Sequence, residues 1–248
     1  MKLKESVQIG NLNLRNRIVM PPMATGKAKD GKPGDDLVEY YRARAKGTAL
    51  IIVEHEYILP QGMAHKGQLS MADDSVIPAF KVLTDAAHGY LLNQFYSPLM
   101  NKREDEYSTK TMENRTRLHK EVVQAVRTAV GDDFTVAIRF GACDFLVGGS
   151  EIRDIPEAIK HLEQTGVDLI DVTAGMMGFM RPGHTEPGYL KDLGLAAKSV
   201  ANLPIILTGG VQTAQDAEKL LTEEACDLIG VGRAILKDAE WAVKALEA

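Results

Sequence analysis

Apolar residues along this chain follow two rhythms: short unbroken runs, and longer stretches in which they recur every three or four positions. The first rhythm suits strands buried on both faces, and the second suits helices that bury one stripe. Strands are predicted at Arg17 to Met20, Ala49 to Val53, Thr135 to Phe140, Asp168 to Thr173, Pro204 to Leu207 and Asp227 to Val231. Helices are predicted from Asp36 to a stop at Gly47, and at Val76 to Ala87, Thr111 to Val130, Pro156 to Thr165, Tyr189 to Ala201 and Asp238 to Ala248. In the second of these, Val76, Phe80, Leu83 and Ala87 align at spacings of three and four. Ile9 to Leu14 reads as a small hairpin around Gly10-Asn11, placed to plug one end of a barrel. Gly26 to Gly34, Gln61 to Asp74 and Asn101 to Lys110 read as loops. Strand and helix alternate almost throughout, so a parallel sheet is expected, and a single (β/α) barrel domain over residues 1–248 fits better than an open doubly wound sheet.

The most informative stretch is Leu203 to Leu236, two apolar runs joined by a helical pattern, each run ending in glycines. Gly209-Gly210 and Gly232-Arg233 follow these two strands. Bare backbone lets amides approach a phosphate closely, an arginine supplies the matching charge, and the loops after the last two strands of a (β/α) barrel are the usual place for such a site. The alternative is that the glycines only make tight strand-to-helix turns. A phosphate-binding aldolase or isomerase barrel would share this signature, but Lys198 falls on a helix and Lys237 in a loop, so no Schiff-base lysine stands out.

Composition narrows the classes. With 248 residues, 45% hydrophobic and 25% charged, the chain has the make-up of an ordinary globular domain, and its net charge of −5 argues against nucleic acid as a partner. Cys143 and Cys226 are far apart and belong to no C-x-x-C or His cluster, so neither a disulfide framework nor a metal site is expected. The N-terminus has no apolar signal core, and no run approaches the roughly 18 apolar residues of a membrane span. A reducing, cytoplasmic setting is the expectation, with no membrane partner.

LRNRIVMPPMAT from Leu14, YYRARAKG from Tyr40, LIIVEHEYI from Leu50, HGYLLNQFYSPLMNKREDEY from His88, ENRTR from Glu113, and the closing TGG and GVGRA segments occur in one order. Together they resemble the Old Yellow Enzyme-type NAD(P)H:flavin oxidoreductases, above all the enoate reductase branch, over nearly the whole chain. The resemblance implies an eight-stranded barrel with FMN at its C-terminal mouth, NADH or NADPH as reductant, and an activated alkene as substrate. It places Pro22, Met23 and Ala24 along the isoalloxazine ring and Arg139 at the ring's N1/C2 carbonyl edge. Gly209, Gly210, Gly232 and Arg233 fall on the phosphate, Tyr90 on the proton donor, and His88 on the second member of a pair that binds the substrate carbonyl.

The middle of the chain departs from that pattern. Val82 to His88 reads as the end of the family's second helix running directly into the motif that follows its fourth strand. One to two central βα units are missing, which predicts six or seven strands instead of eight. A flavin-contacting glutamine goes with them, and Asp85 stands where the first histidine of the pair belongs. On the helical reading of Val76 to Ala87, the chain reaches the barrel bottom at Ala87. Gly89 to Tyr96 then either climbs back as a makeshift strand or leaves an open seam. The function expected is an FMN-dependent ene-reductase whose activity the deletion impairs, and the alternative is a catalytically inactive flavin-binding or scaffold remnant. An open seam would also favour a homo-oligomer. Bland alternatives accompany the site residues: Arg139 as a rim arginine, Tyr90 as a packed aromatic and His88 as a helix C-terminal dipole partner. His55 and His184 fall in loops near the mouth where either could touch a ligand, a surface histidine being the default. Met176, Met177, Phe179 and Met180 line a pocket or cover the barrel end.

Overall fold

The computed structural model describes residues 1–72, 83–86 and 90–248, the segment 83–86 through its backbone. The N-terminal hairpin forms as the alternation predicts. Strand β1 (Val7–Ile9) pairs antiparallel with β2 (Leu12–Leu14) around Gly10, which takes φ +51°. Gly10 lies against Thr135 and Asp168, at the entry to two barrel strands, so the plug closes the end opposite the strand C-termini. The elements β3 (Ile18–Met20), α1 (Asp35–Arg44) and β4 (Leu50–Ile51) follow, and the loop after β4 holds a parallel two-residue ladder, β5 (Glu56–Tyr57) with β6 (Leu69–Ser70).

The segment after that ladder corrects the expected helix. Leu83–Ala86 is a strand, β7, parallel to β8 (Ala137–Cys143), with Asp85 level with Arg139 and Ala86 with Phe140. The edge of β8 offers a row of backbone donors and acceptors, and satisfying that row outweighs a helical spacing of apolar residues. The remainder of the expected helix lies outside the described residues. A second correction follows. Gly89 to Tyr96 is no makeshift strand, because Leu91–Tyr96 forms helix α2. Since β7 runs parallel to β8, the chain already leaves it at the barrel mouth, and Tyr90 needs no further climb.

Helix α3 (Met112–Val130) starts where Thr111 accepts a hydrogen bond from the Asn114 amide, a favourable N-cap. After β8 come α4 (Ile155–Glu163), β9 (Leu169–Ala174), α5 (Lys191–Lys198), β10 (Ile205–Thr208), α6 (Ala214–Thr222), β11 (Leu228–Gly230), α7 (Arg233–Lys237) and α8 (Trp241–Glu247). Thr213 and Asp216 form a reciprocal capping box at the start of α6.

Seven strands form one parallel sheet in the order β4-β3-β11-β10-β9-β8-β7. The first barrel strand therefore pairs with the last, Ile229 opposite Ile18, as in a closing barrel. No pairing joins β4 to β7 among the described residues, so the sheet has a seam there. Alternation along the strands sorts the core. Ile138, Phe140, Ile170, Val172, Ile205 and Leu207 face the helices. Val19, Ala137, Leu169, Ile206 and Leu228 point inward onto Ile9 and Leu14 of the plug. No helix among the described residues is long and apolar enough to cross a membrane.

Candidate functional site

At the C-terminal ends of the strands lies a cleft of about 360 Å³, within the range of small-molecule sites. The exits of β3, β4, β7, β10 and β11 and the interior of β8 all contribute to it: Pro21 to Ala24, His55, Tyr90, Arg139, Thr208 with Gly210 and Val211, and Gly230 with Gly232 and Arg233. Phe179 and Tyr189, from the segment between β9 and α5, complete the wall.

Arg139 is the buried cation of this cleft. It lies within β8 rather than at its end, because the strand continues to Cys143. Only 5% of it is exposed, so it is not a rim arginine extended into solvent. Its Nε stands 3.4 Å from the carboxylate of Asp171, the residue opposite it on β9 and fully buried. A buried charge requires a partner of opposite sign, and the Asp171 carboxylate supplies one, as an ion pair without a hydrogen bond at Nε among the described residues.

Glycines line the cleft at the ends of β10 and β11. Gly210 takes φ +72°, and a Cβ there would meet the Tyr189 ring at 2.7 Å. A Cβ on Gly232 would come 2.9 Å from the sulfur of Met23. Gly210 therefore needs a bare backbone, whereas at Gly232 the flexible end of Met23 can yield. Gly209 is one residue deeper and does not line the cleft; its carbonyl accepts from the Gly188 amide at 2.7 Å, and Leu190 packs over it. The Tyr189 hydroxyl donates to the Phe179 carbonyl at 2.8 Å, and burial raises its pKa while Arg233 pulls it back. The Arg233 guanidinium lies 5.9 Å from the centre of the Phe179 ring. Of the Met-rich cluster, Phe179 thus lines the cleft, while Met180 is exposed.

Tyr90 precedes α2 and reaches the cleft from the seam side. His55, which reads from sequence as a surface histidine, does the same from the other side: its Nε2 lies 3.1 Å from the Tyr90 hydroxyl. Its loop is readable as near the mouth, but nothing local points to Tyr90, which is 35 residues away. His184 pairs with Glu186 at 2.6 Å on the surface. His88, the other expected catalytic residue, lies outside the described residues.

The chemistry of this set fits a flavin mononucleotide. A buried cation lines the cleft, Gly210, which tolerates no side chain, and Gly232 line its other end, and a second arginine stands beside them. The buried Thr208 hydroxyl in the same wall has no hydrogen-bond partner among the described residues. Among those residues no cluster of His, Cys, Asp or Glu could hold a metal ion.

Fold and cleft together define a shortened (β/α) barrel of the class that holds a phosphate-bearing cofactor at its mouth. The model of the NADH:flavin oxidoreductase / NADH oxidase family matches residues 2–88 and 85–248, and the chain belongs to that family. The flavin of that family is FMN. The break between the two matched segments falls at the expected deletion. An NADH oxidase of Thermoanaerobacter brockii is 30% identical over 325 aligned positions, covering 97% of this chain and 50% of the relative. An NADPH dehydrogenase of Halalkalibacterium halodurans is 29% identical, covering 97% and 92%. The chain spans about half the length of the first of these, and both alignments are longer than its 248 residues, so the relatives carry segments it lacks. Among solved structures, a 2-naphthoyl-CoA reductase complex superposes with a TM-score of 0.90 at 20% identity, covering 99% of this chain and 52% of its own. An Old Yellow Enzyme homologue from Zymomonas mobilis gives 0.84 at 20%, covering 100% and 93%. These two likenesses show the barrel fold.

Proposed function

We propose that the chain is an FMN-dependent NAD(P)H oxidoreductase of the ene-reductase type, acting on an activated alkene. The observation that carries the reading is convergence. Pro22, Met23, Ala24, Arg139, Gly210, Gly232, Arg233 and Tyr90 come from separate parts of the chain and line one cleft. When bound, FMN supplies the transfer of a hydride from the nicotinamide to the alkene. Pro22, Met23 and Ala24 would form the wall along the ring system, and Arg139, buried beside Asp171, would supply positive charge at its polar edge. Gly210, Gly232 and Arg233 hold the phosphate. Tyr90 holds the proton that the alkene carbon takes up.

The test begins with an absorption spectrum and an FMN titration of the purified protein, followed by anaerobic reduction with NADH or NADPH and turnover of an enone. Yellow protein that oxidises NAD(P)H only when an enone is present supports the reading. Protein that cannot take up FMN sinks it. FMN uptake and reduction without enone turnover favours the inactive remnant, a reading to which the seam between β4 and β7 and the Asp85 substitution lend weight.

A further inference from the structure

The deletion removes the histidine that the family pattern places three residues before His88, and puts Asp85 there. Another histidine reaches the cleft from a different strand exit. His55 follows β4, Tyr90 follows β7, and these are the two strands that flank the seam. Nε2 of His55 lies 3.1 Å from the Tyr90 hydroxyl, with ring centroids 5.3 Å apart and planes inclined at 38°. Both side chains line the cleft.

The loop that presents His55 is built on both sides. Before it, Glu54 is fully buried, accepting from the Thr25 amide at 2.9 Å and donating its own amide to the Tyr41 hydroxyl at 3.0 Å. After it, Glu56 and Tyr57 pair with Leu69 and Ser70. The buried Gln68 closes the loop, donating to the His55 carbonyl at 3.4 Å and accepting from the Ala64 amide at 2.8 Å. The His65 ring then packs edge-on against His55, with centroids 5.8 Å apart. An imidazole held this way is a fixed hydrogen-bonding group, and it faces Tyr90, which stands 38% exposed at the lip of the seam.

We propose that His55 is the positioning residue for Tyr90: its Nε2–H donates to the phenol oxygen, holds the ring over the cleft and leaves the phenol's own proton directed at the substrate. This rests on the ene-reductase reading for its chemistry. The tautomer follows from the role, because a hydroxyl that instead donated to Nε2 would turn its proton away from the alkene.

Two measurements test the pair. In protein labelled with ¹⁵N-histidine, Nε2 of His55 resonates as a protonated nitrogen, and Tyr90→Phe shifts that signal more than Nδ1. An unprotonated Nε2, or a signal indifferent to Tyr90→Phe, overturns the proposal, and this readout needs no flavin. In rapid-mixing experiments on FMN-loaded protein, His55→Phe slows re-oxidation by 2-cyclohexen-1-one at least about tenfold, and reduction by NADPH stays within about twofold of the parent. His55→Gln, which keeps a donor at similar reach, recovers part of the loss. Equal slowing of both half-reactions marks a merely structural role and overturns the proposal, as does no slowing at all. Protein that takes up no FMN sinks the flavin reading and the role built on it, while the nitrogen signal still decides whether the bond exists.

Discussion

An alanine at Gly210 has to carry a side chain at φ +72°, with its Cβ 2.7 Å from the Tyr189 ring and 3.0 Å from the Glu186 carbonyl oxygen. The left-handed backbone costs an L-residue about 1–2 kcal/mol. The collision adds an overpacking cost of about 1–3 kcal/mol. Tyr189 cannot swing away cheaply, because it is 6% exposed and its hydroxyl is bonded to the Phe179 carbonyl at 2.8 Å. Gly178 provides the control. It has the same φ of +72°, and a Cβ there meets nothing within 4 Å. Gly178→Ala therefore measures the backbone term alone, about 1–2 kcal/mol, and Gly210→Ala is expected to cost about 2–5 kcal/mol in urea unfolding. Because Tyr189 and Phe179 line the cleft, Gly210→Ala also weakens FMN binding by about tenfold or more, equivalent to about 1.4 kcal/mol. Equal stability losses at the two glycines would refute the reasoning, since only one has a neighbour to strike.

Two other sites give predictions of a different kind. The fully buried Asp144 carboxylate accepts from the Ser97 hydroxyl at 2.6 Å, the Ser150 amide at 2.8 Å and the Met176 amide at 2.9 Å, tying the loops after β8 and β9 together. Asp144→Asn turns one acceptor into a donor facing a backbone N–H, so a loss of about 2–4 kcal/mol is expected in urea unfolding, and a change below about 0.5 kcal/mol would contradict the network. Burial lowers the His119 pKa from 6.5 to about 4, and neither ring nitrogen has a hydrogen-bond partner among the described residues. The unfolded chain binds this proton more readily, so the contribution is complete above about pH 6.5 and is lost as pH falls toward about 4, a change on the order of 3 kcal/mol. His119→Met should flatten that part of the stability–pH curve, and an unchanged slope would assign it to other groups.

What the sequence shows of this fold depends on how local the deciding interaction is. The βαβ unit of β10, α6 and β11 is legible because its apolar runs, its Thr213 and Asp216 cap and its glycines are all local. Helix α3 is legible for the same reason, from Thr111 to Gly131. Leu83–Ala86 is not legible, because a row of backbone partners on β8, more than fifty residues downstream, decides its state. The length of β8 also escapes a local reading, since Gly141 interrupts the apolar pattern and the strand still continues to Cys143. For Arg139 the residue type and the strand were evident, but its burial depends on Asp171 across the ladder. For His55 only a loop near the mouth is readable, because its partner is settled only when the exits of β4 and β7 come together.

That meeting explains why a barrel can lose part of its wall and keep its mouth. The residues along the expected ring and phosphate positions lie on or just after β3, β8, β10 and β11, which with β9 form an unbroken run of paired strands. The shortening falls at the opposite side, between β4 and β7, where each flanking strand contributes one cleft residue, His55 and Tyr90. The register of β7 on β8 brings the chain out at the mouth, so the direction of the wall is preserved although its continuity is not. Because strand ends set the position of cleft residues in such barrels, direction matters more to the site than strand number. The 3.1 Å contact between His55 and Tyr90 then links the two sides of the seam at the level where substrate would enter.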